Sequence, residues 1–376
     1  MPNFCEWFDK CRGASVSRMD IPWIRGRVAA QAHVGLPEGT VEEEYGRGGF
    51  FGRYAHLYRE HAPVGWTRIE GALRPRAFDL RRAGTCDVLG NEDVRVGVAI
   101  HEEPMRAFFR NADADVILFV HEGAGRIESD FGPLAYERGD YLLVPRGTTR
   151  RIAPTSRTFM LSIACRSEVL FPDKGMLGQH AIFDPAVVTV PTPERSTLAA
   201  DESGEWRVEV LHRGQTTSLF YPFNPLDVVG WKGTTSLAKL SVRDLRPVSS
   251  DRYHVPPSAH TTFVADGVVV CTFAPRPLEN GDERALKVPF YHSNVDFDEV
   301  LFYHAGEFFS REGIAPGMLT FHPQGIHHGP QPGAAARAKA ATRTEEIAVM
   351  IDTRRPLDVL AESGEIADYW KSWRET

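Results

Sequence analysis

One pattern occurs twice in this chain and narrows what it can fold into. Gly139-Asp-Tyr-Leu-Leu-Val-Pro145-Arg-Gly147-Thr-Thr-Arg150 and Gly317-Met-Leu-Thr-Phe-His322-Pro323-Gln-Gly325-Ile-His327-His328 both read G-x5-P-x-G. Each copy follows an apolar stretch bounded by glycine, Val116 to Gly123 and Glu299 to Gly306, seven residues apart both times. In such a unit the first glycine closes a strand and the second opens the next. The P-x-G turn then re-aims the following side chain inward. Two copies imply two versions of one β unit.

The rest of the chain supports an all-β class. Short apolar runs recur at Val94–Ile100, Val116–Val120, Tyr141–Val144, Thr158–Ala164, Thr261–Phe263, Val268–Phe273, Val300–Tyr303 and Glu346–Ile351. They are rich in β-branched and aromatic residues and are mostly bounded by Gly, Pro, Asp or Asn. Helix is expected at Thr40–Tyr45 and in the tail from Leu357 to Trp373. Ala334–Ala341 reads as a surface loop or short helix. The 42% hydrophobic content of 376 residues excludes a mainly disordered chain. Forty-three basic against 50 acidic residues leave a net charge of −7, so a nucleic-acid partner is not expected. No run of 18 apolar residues exists to span a membrane, and Met1 to Met19 lacks a secretory apolar core. Five widely spaced cysteines, at 5, 11, 86, 165 and 271, suit reduced thiols and a cytoplasmic location.

The paired pattern resembles the two-part cupin signature, G-x5-H-x-H-x3-4-E-x6-G followed by G-x5-P-x-G-x2-H. It implies a bicupin, two jelly-roll β-barrels with a few short helices. The expected division is an N-terminal extension over 1–50, a first barrel over 51–220, a second over 221–356 and a tail over 357–376. The motif positions of the second barrel hold His292, Asn294, Glu299 and His328. Those of the first hold Phe109, Asn111, Val116 and Arg150, which offer no strong metal ligand. Two imidazoles and one carboxylate are the ligand set of non-haem Fe(II) oxygenases, so His292, Glu299 and His328 are the candidate metal ligands. Asp298 and His327 are rivals that the motif counts disfavour. A turn over Val295–Asp298 between paired strands would let His292 and Glu299 face one interior. The remaining histidines, including His33, His56, His121 and His304, read as ordinary core or surface residues.

Longer stretches resemble the homogentisate 1,2-dioxygenase family. They are Pro289-Phe-Tyr-His292-Ser-Asn, Asp298-Glu299, Ala315-Pro-Gly317, His322, His328-Gly-Pro330, Pro225 to Gly233 and Asp113 to Gly125, together with the Gly139–Thr149 segment. The resemblance spans about residues 50 to 355. It implies an Fe(II) enzyme of tyrosine and phenylalanine catabolism that opens homogentisate with O2 to give maleylacetoacetate. It also implies His254, in Tyr253-His254-Val-Pro-Pro-Ser258, as a general base and His322 as a further active-site histidine. Its partners would be a small aromatic substrate and O2, and its assembly a trimer or hexamer.

The chain departs from the family where substrate is recognised. Phe308 stands where many members have tyrosine, and Lys232 replaces the histidine of a W-H-G stretch. Asn294 and Glu299 are one residue further apart than in several members. Another hydroquinone, such as gentisate, is therefore an alternative substrate. A ligand-binding bicupin and a metal-dependent isomerase are alternatives of other classes.

Overall fold

A computed structural model describes residues 23–49, 53–193, 204–287, 290–308, 311–334 and 340–374. Among these residues the architecture is nearly all β, in sheets of seven, six, six and three strands. It is a bicupin. In the first barrel the seven-stranded sheet centres on Asp115–Glu122, flanked by Asp140–Val144 and Thr158–Cys165. Alternate residues of its central strand, Val116, Leu118 and Val120, meet Ile127, Leu134 and Ile152 of the opposed sheet.

The other face of the same sheet is equally apolar. Ile117, Phe119, Phe159 and Leu161 pack against Phe263, Val300, Phe302, Leu319 and Ile351 of the second barrel's six-stranded sheet. This shared core joins the barrels. It also explains the unbroken apolar runs in the sequence, because strands buried on both faces need no polar alternation. Strand Asp298–Ala305 then sorts its side chains by parity. Val300, Phe302 and His304 face the joint between barrels, whereas Glu299, Leu301 and Tyr303 face a cavity.

The far wall of that cavity is the three-stranded sheet. Tyr291–Asn294 pairs in parallel with Val41–Gly46, which pairs antiparallel with Tyr54–Arg59. The expected helix at Thr40–Tyr45 is thus a strand. Its three glutamates favour helix locally, but hydrogen-bond ladders on both edges outweigh that preference. Other strands also cross between halves. Arg76–Asp79 pairs with Met318–His322, and Ala238–Ser241 pairs with Asp140–Val144.

The repeat glycines have a conformational reason. Gly139 and Gly317 have φ of +88° and +85°, a region that side chains enter at a cost. A Cβ on Gly306 would lie 1.8 Å from the Glu345 carbonyl oxygen.

The tail forms a two-residue strand, Asp358–Val359, and a 3-10 turn, Tyr369–Trp373, rather than one helix. Tyr369 and Trp373 bury themselves against Val64, Trp66 and Ala77 of the same chain. Of the Ala334–Ala341 segment, Ala334 is buried and residues 335–339 lie outside the described residues. Cys86, Cys165 and Cys271 are free thiols; Cys5 and Cys11 lie outside the described residues. No helix among the described residues is long and apolar enough to cross a membrane.

Candidate metal centre

Three elements bring His292, Glu299 and His328 together. His292 lies on the short strand Tyr291–Asn294, and Glu299 is the second residue of Asp298–Ala305. His328 follows the Pro323–Gly325 turn, where its backbone exchanges two hydrogen bonds with that of His292, of 2.9 and 3.0 Å. A turn does separate the first two strands, but they belong to different sheets instead of pairing with each other. The resulting ligand atoms all lie within 4.8 Å of one another. His292 Nε2 is 3.6 Å from Glu299 Oε2, and His328 Nε2 is 3.4 Å from Glu299 Oε1.

The donor set fits a cation. His292 Nδ1 donates to the Phe290 carbonyl at 2.9 Å, and His328 Nδ1 donates to the Ile326 carbonyl at 3.1 Å. A carbonyl only accepts, so each Nδ1 holds the proton and each Nε2 presents a lone pair. Both lone pairs then point at a buried carboxylate. Acceptor facing acceptor is unfavourable in a water-poor site unless a positive ion lies between them. His328 Nε2 is accordingly buried without a hydrogen-bond partner.

Burial alone would push the Glu299 carboxyl up, but the His328, His292 and His322 side chains, when they carry protons toward it, outweigh burial and hold the group well below the usual range; a cation would take the place of the protons on His292 and His328. Burial also lowers His328, helped by nearby His292. The rivals lie elsewhere. Asp298 accepts from the backbone N–H groups of Gln324 and Leu357, and His327 Nε2 pairs with Glu43 at 2.8 Å.

His322 sits behind Glu299. The two residues pair across adjacent strands, and His322 Nδ1 donates to Glu299 Oε1 at 2.8 Å. The ring stacks on His328 at 4.5 Å and is covered by Tyr369 and Trp373. It is 1% exposed and does not line the cavity.

The cavity encloses about 270 Å³ beside Glu299 and His292. A void of about 150 Å³ holds benzene, so there is room here for one substituted ring. His254 lines it, with Nδ1 at 3.0 Å from Glu279 Oε1. Burial lowers the His254 pKa against the opposing pull of Glu279. Tyr303, Arg276, Arg311 and Glu346 add polar groups to the walls. Tyr303 bonds Thr320 Oγ1 through its hydroxyl at 3.1 Å. Phe308 does not line the cavity; it packs edge-on against the Tyr303 ring, in an apolar cluster whose Leu301, Tyr303 and Met350 do. Lys232 is exposed and does not line the cavity.

In the first barrel the corresponding positions hold no comparable group of ligands among the described residues. There the Arg150 guanidinium lies 5.3 Å from the Phe109 ring centroid.

A second cluster, His33, Glu44 and His56, lines the same cavity. No motif in the sequence marks it: His33 and His56 are lone histidines without a spacing signal, and Glu44 lies in Thr40–Tyr45, a segment whose glutamates favour helix. Alternation within Glu42-Glu43-Glu44, read as strand, would have placed Glu42 and Glu44 on one face. Glu279 and Tyr303 were likewise missed, since neither belongs to a motif.

Comparison with known proteins adds independent findings. A family profile described as homogentisate 1,2-dioxygenase N-terminal matches residues 80–240. A Saccharolobus solfataricus protein with a provisional dioxygenase name is 32% identical over 362 residues, covering 88% of this chain and 92% of that protein. The homogentisate 1,2-dioxygenase of Rhizobium leguminosarum bv. trifolii is 25% identical over 343 residues, covering 84% and 74% respectively. Among solved structures, a cupin 2 conserved barrel domain protein from Leptotrichia buccalis aligns with a TM-score of 0.32 at 8% identity, over 76% of this chain and 92% of that one.

Proposed function

We propose that this chain, which belongs to the homogentisate 1,2-dioxygenase family, is an Fe(II)-dependent dioxygenase that cleaves a hydroquinone ring, with homogentisate as its first candidate substrate. The observation that carries this reading is the convergence of two locked imidazole lone pairs and the Glu299 carboxylate at the wall of a buried cavity. Two imidazoles and one carboxylate leave coordination positions open for substrate and dioxygen. A ferrous ion held by His292, Glu299 and His328 supplies Lewis acidity toward a phenol oxygen and an electron source for dioxygen.

The chain's own residues do the rest. His254 donates Nδ1–H to Glu279, which fixes the tautomer with its Nε2 lone pair available as a base. Burial keeps that imidazole neutral near pH 7, ready to take a phenolic proton. His322 holds Glu299 in place through its hydrogen bond and does not touch the cavity. Phe290 and Leu301 give the ring an apolar bed, and the tail excludes water from behind.

A different hydroquinone is the second reading, favoured by the position of Phe308. Its ring faces Tyr303 in an apolar cluster and offers no hydroxyl to a substrate side arm. An oxygen electrode separates the two. Anaerobically purified protein loaded with Fe(II) is given homogentisate, gentisate and unsubstituted hydroquinone in turn. Fastest O2 uptake with homogentisate supports the first reading. A higher kcat/KM for another ring selects the second, and no uptake with any of them rejects both.

A further inference from the structure

His56, Glu44 and His292 form a row across the three-stranded sheet. Glu44 pairs in register with His56 on one side and His292 on the other. Residues paired this way project from the same face, about 5 Å apart per strand. The metal centre described above therefore continues, one strand over, into a second set of metal-ligating side chains. The two sets share no ligand, and the Phe290 ring lies between them. It stacks on His33 at 3.8 Å and stands 6.0 Å from His292.

The local geometry is that of a built site. His33 Nε2 and His56 Nε2 lie 3.3 and 3.2 Å from the same Glu44 oxygen, Oε2. The opposite ring nitrogens both face Glu42, with His33 Nδ1 at 3.2 Å and His56 Nδ1 at 3.7 Å from its carboxylate. Glu42 is 2% exposed, so this carboxylate is buried for the two histidines. A carboxylate behind the Nδ1–H of a histidine is the usual support of a metal ligand, because it fixes the tautomer and turns Nε2 toward the ion. His33 also adopts φ +62°, a conformation uncommon outside glycine and sustained only by its surroundings. With the imidazoles neutral, as metal ligation requires, buried Glu42 and partly buried Glu44 carry a charge that one divalent cation balances; with no ion present, burial pulls His33 down but Glu42 and Glu44 outweigh it and hold the imidazole up at about 9, so a proton then stands where the cation would.

We infer that His33, Glu44 and His56, oriented by Glu42, form a second divalent transition-metal site in the same cavity, one strand over from the centre of His292, Glu299 and His328. Imidazole and carboxylate donors suit zinc, cobalt, nickel or ferrous iron rather than calcium or magnesium. The site faces the shared cavity, and its ligands come from the segment preceding the first barrel's strands.

Counting bound metal tests this directly. Untagged protein is stripped with a chelator, equilibrated with Co(II), desalted and analysed for metal per chain. Wild type should bind two equivalents. Glu44→Gln/His56→Ala should bind one, Glu299→Gln/His328→Ala one, and the combined variant none. Two equivalents retained by Glu44→Gln/His56→Ala, or one in wild type that survives that change, overturns the second site. Unchanged binding in Glu299→Gln/His328→Ala instead overturns the first centre and leaves this one standing. Glu42→Gln guards against misfolding, since it alters one atom and no ligand. It should weaken one of the two Co(II) sites about 10- to 100-fold with far-ultraviolet circular dichroism unchanged; equal affinity at both sites in wild type and Glu42→Gln counts against the inference.

Discussion

His322 donates a 2.8 Å hydrogen bond to Glu299 from the residue position directly opposite on the neighbouring strand. The carboxylate thus reaches its histidines already aimed. His322→Ala leaves Glu299 Oε1 without that donor, and we predict Fe(II) affinity about 10- to 100-fold weaker. His322→Asn, which keeps an N–H donor, should recover part of it. Isothermal titration with Fe(II) under argon reads the difference. Affinity equal to wild type in His322→Ala would show that the contact does not position the ligand.

His254 should affect turnover without affecting metal content. Loss of a general base costs about 10²- to 10⁴-fold, so His254→Ala is expected to lower kcat by at least about 100-fold with iron per chain unchanged. Glu279→Gln should cost less, since the base remains but its tautomer is no longer fixed. Parallel iron analysis and O2 uptake check both. Iron lost along with activity would reassign His254 to the metal centre.

The joint between barrels carries an acid-sensitive pair. His121 and His304 meet through their Nδ1 atoms at 2.9 Å, both nearly fully buried. Burial, then the Arg138 and Arg81 charges, pushes His121 down to about 4; burial, then His121 and Arg138, pushes His304 to about 3. Both folded values lie below the unfolded 6.5, so the unfolded chain binds more protons in this range. The pair's contribution is complete above pH 6.5 and is lost as pH falls toward 4 and 3. Tm should therefore drop between pH 7 and 5, and the drop should be shallower in His121→Asn/His304→Asn. Identical slopes would place the acid sensitivity elsewhere.

The aromatic tail closes the site from behind. Trp373 is 2% exposed, donates Nε1–H to the Gly329 carbonyl at 3.2 Å and covers the His322 ring. Trp373→Ala removes a large buried side chain and should cost about 3 to 5 kcal/mol, read as a lower denaturant midpoint. A midpoint within error of wild type would mean that the tail only rests on the barrel.

Much of this was legible because the repeat ties residue type to backbone geometry. Glycines at Gly139 and Gly317 mark positions of positive φ, and apolar runs mark strands buried on both faces. Counting back from Gly306 selects Glu299, and counting on through Pro323 and Gly325 selects His328, with His292 at the motif position seven residues before Glu299. What counting misses is pairing between distant segments. Val41–Gly46 lies some 250 residues before its partner strand Tyr291–Asn294, and its run of glutamates prefers helix until that partner supplies a ladder. His33, Glu44 and His56 gain meaning only from that long-range pairing. His322 belongs to a motif, yet whether its ring faces the cavity or the back of Glu299 depends on strand parity and on a tail 50 residues further along.

The most direct measurement compares O2 uptake by Fe(II)-loaded wild type and Glu299→Gln, each with homogentisate and hydroquinone analogues at saturating concentration. A ferrous centre built on Glu299 predicts uptake in wild type, with one O2 consumed per ring opened, and loss of at least about 1,000-fold in the variant. Uptake that persists undiminished in Glu299→Gln would contradict it.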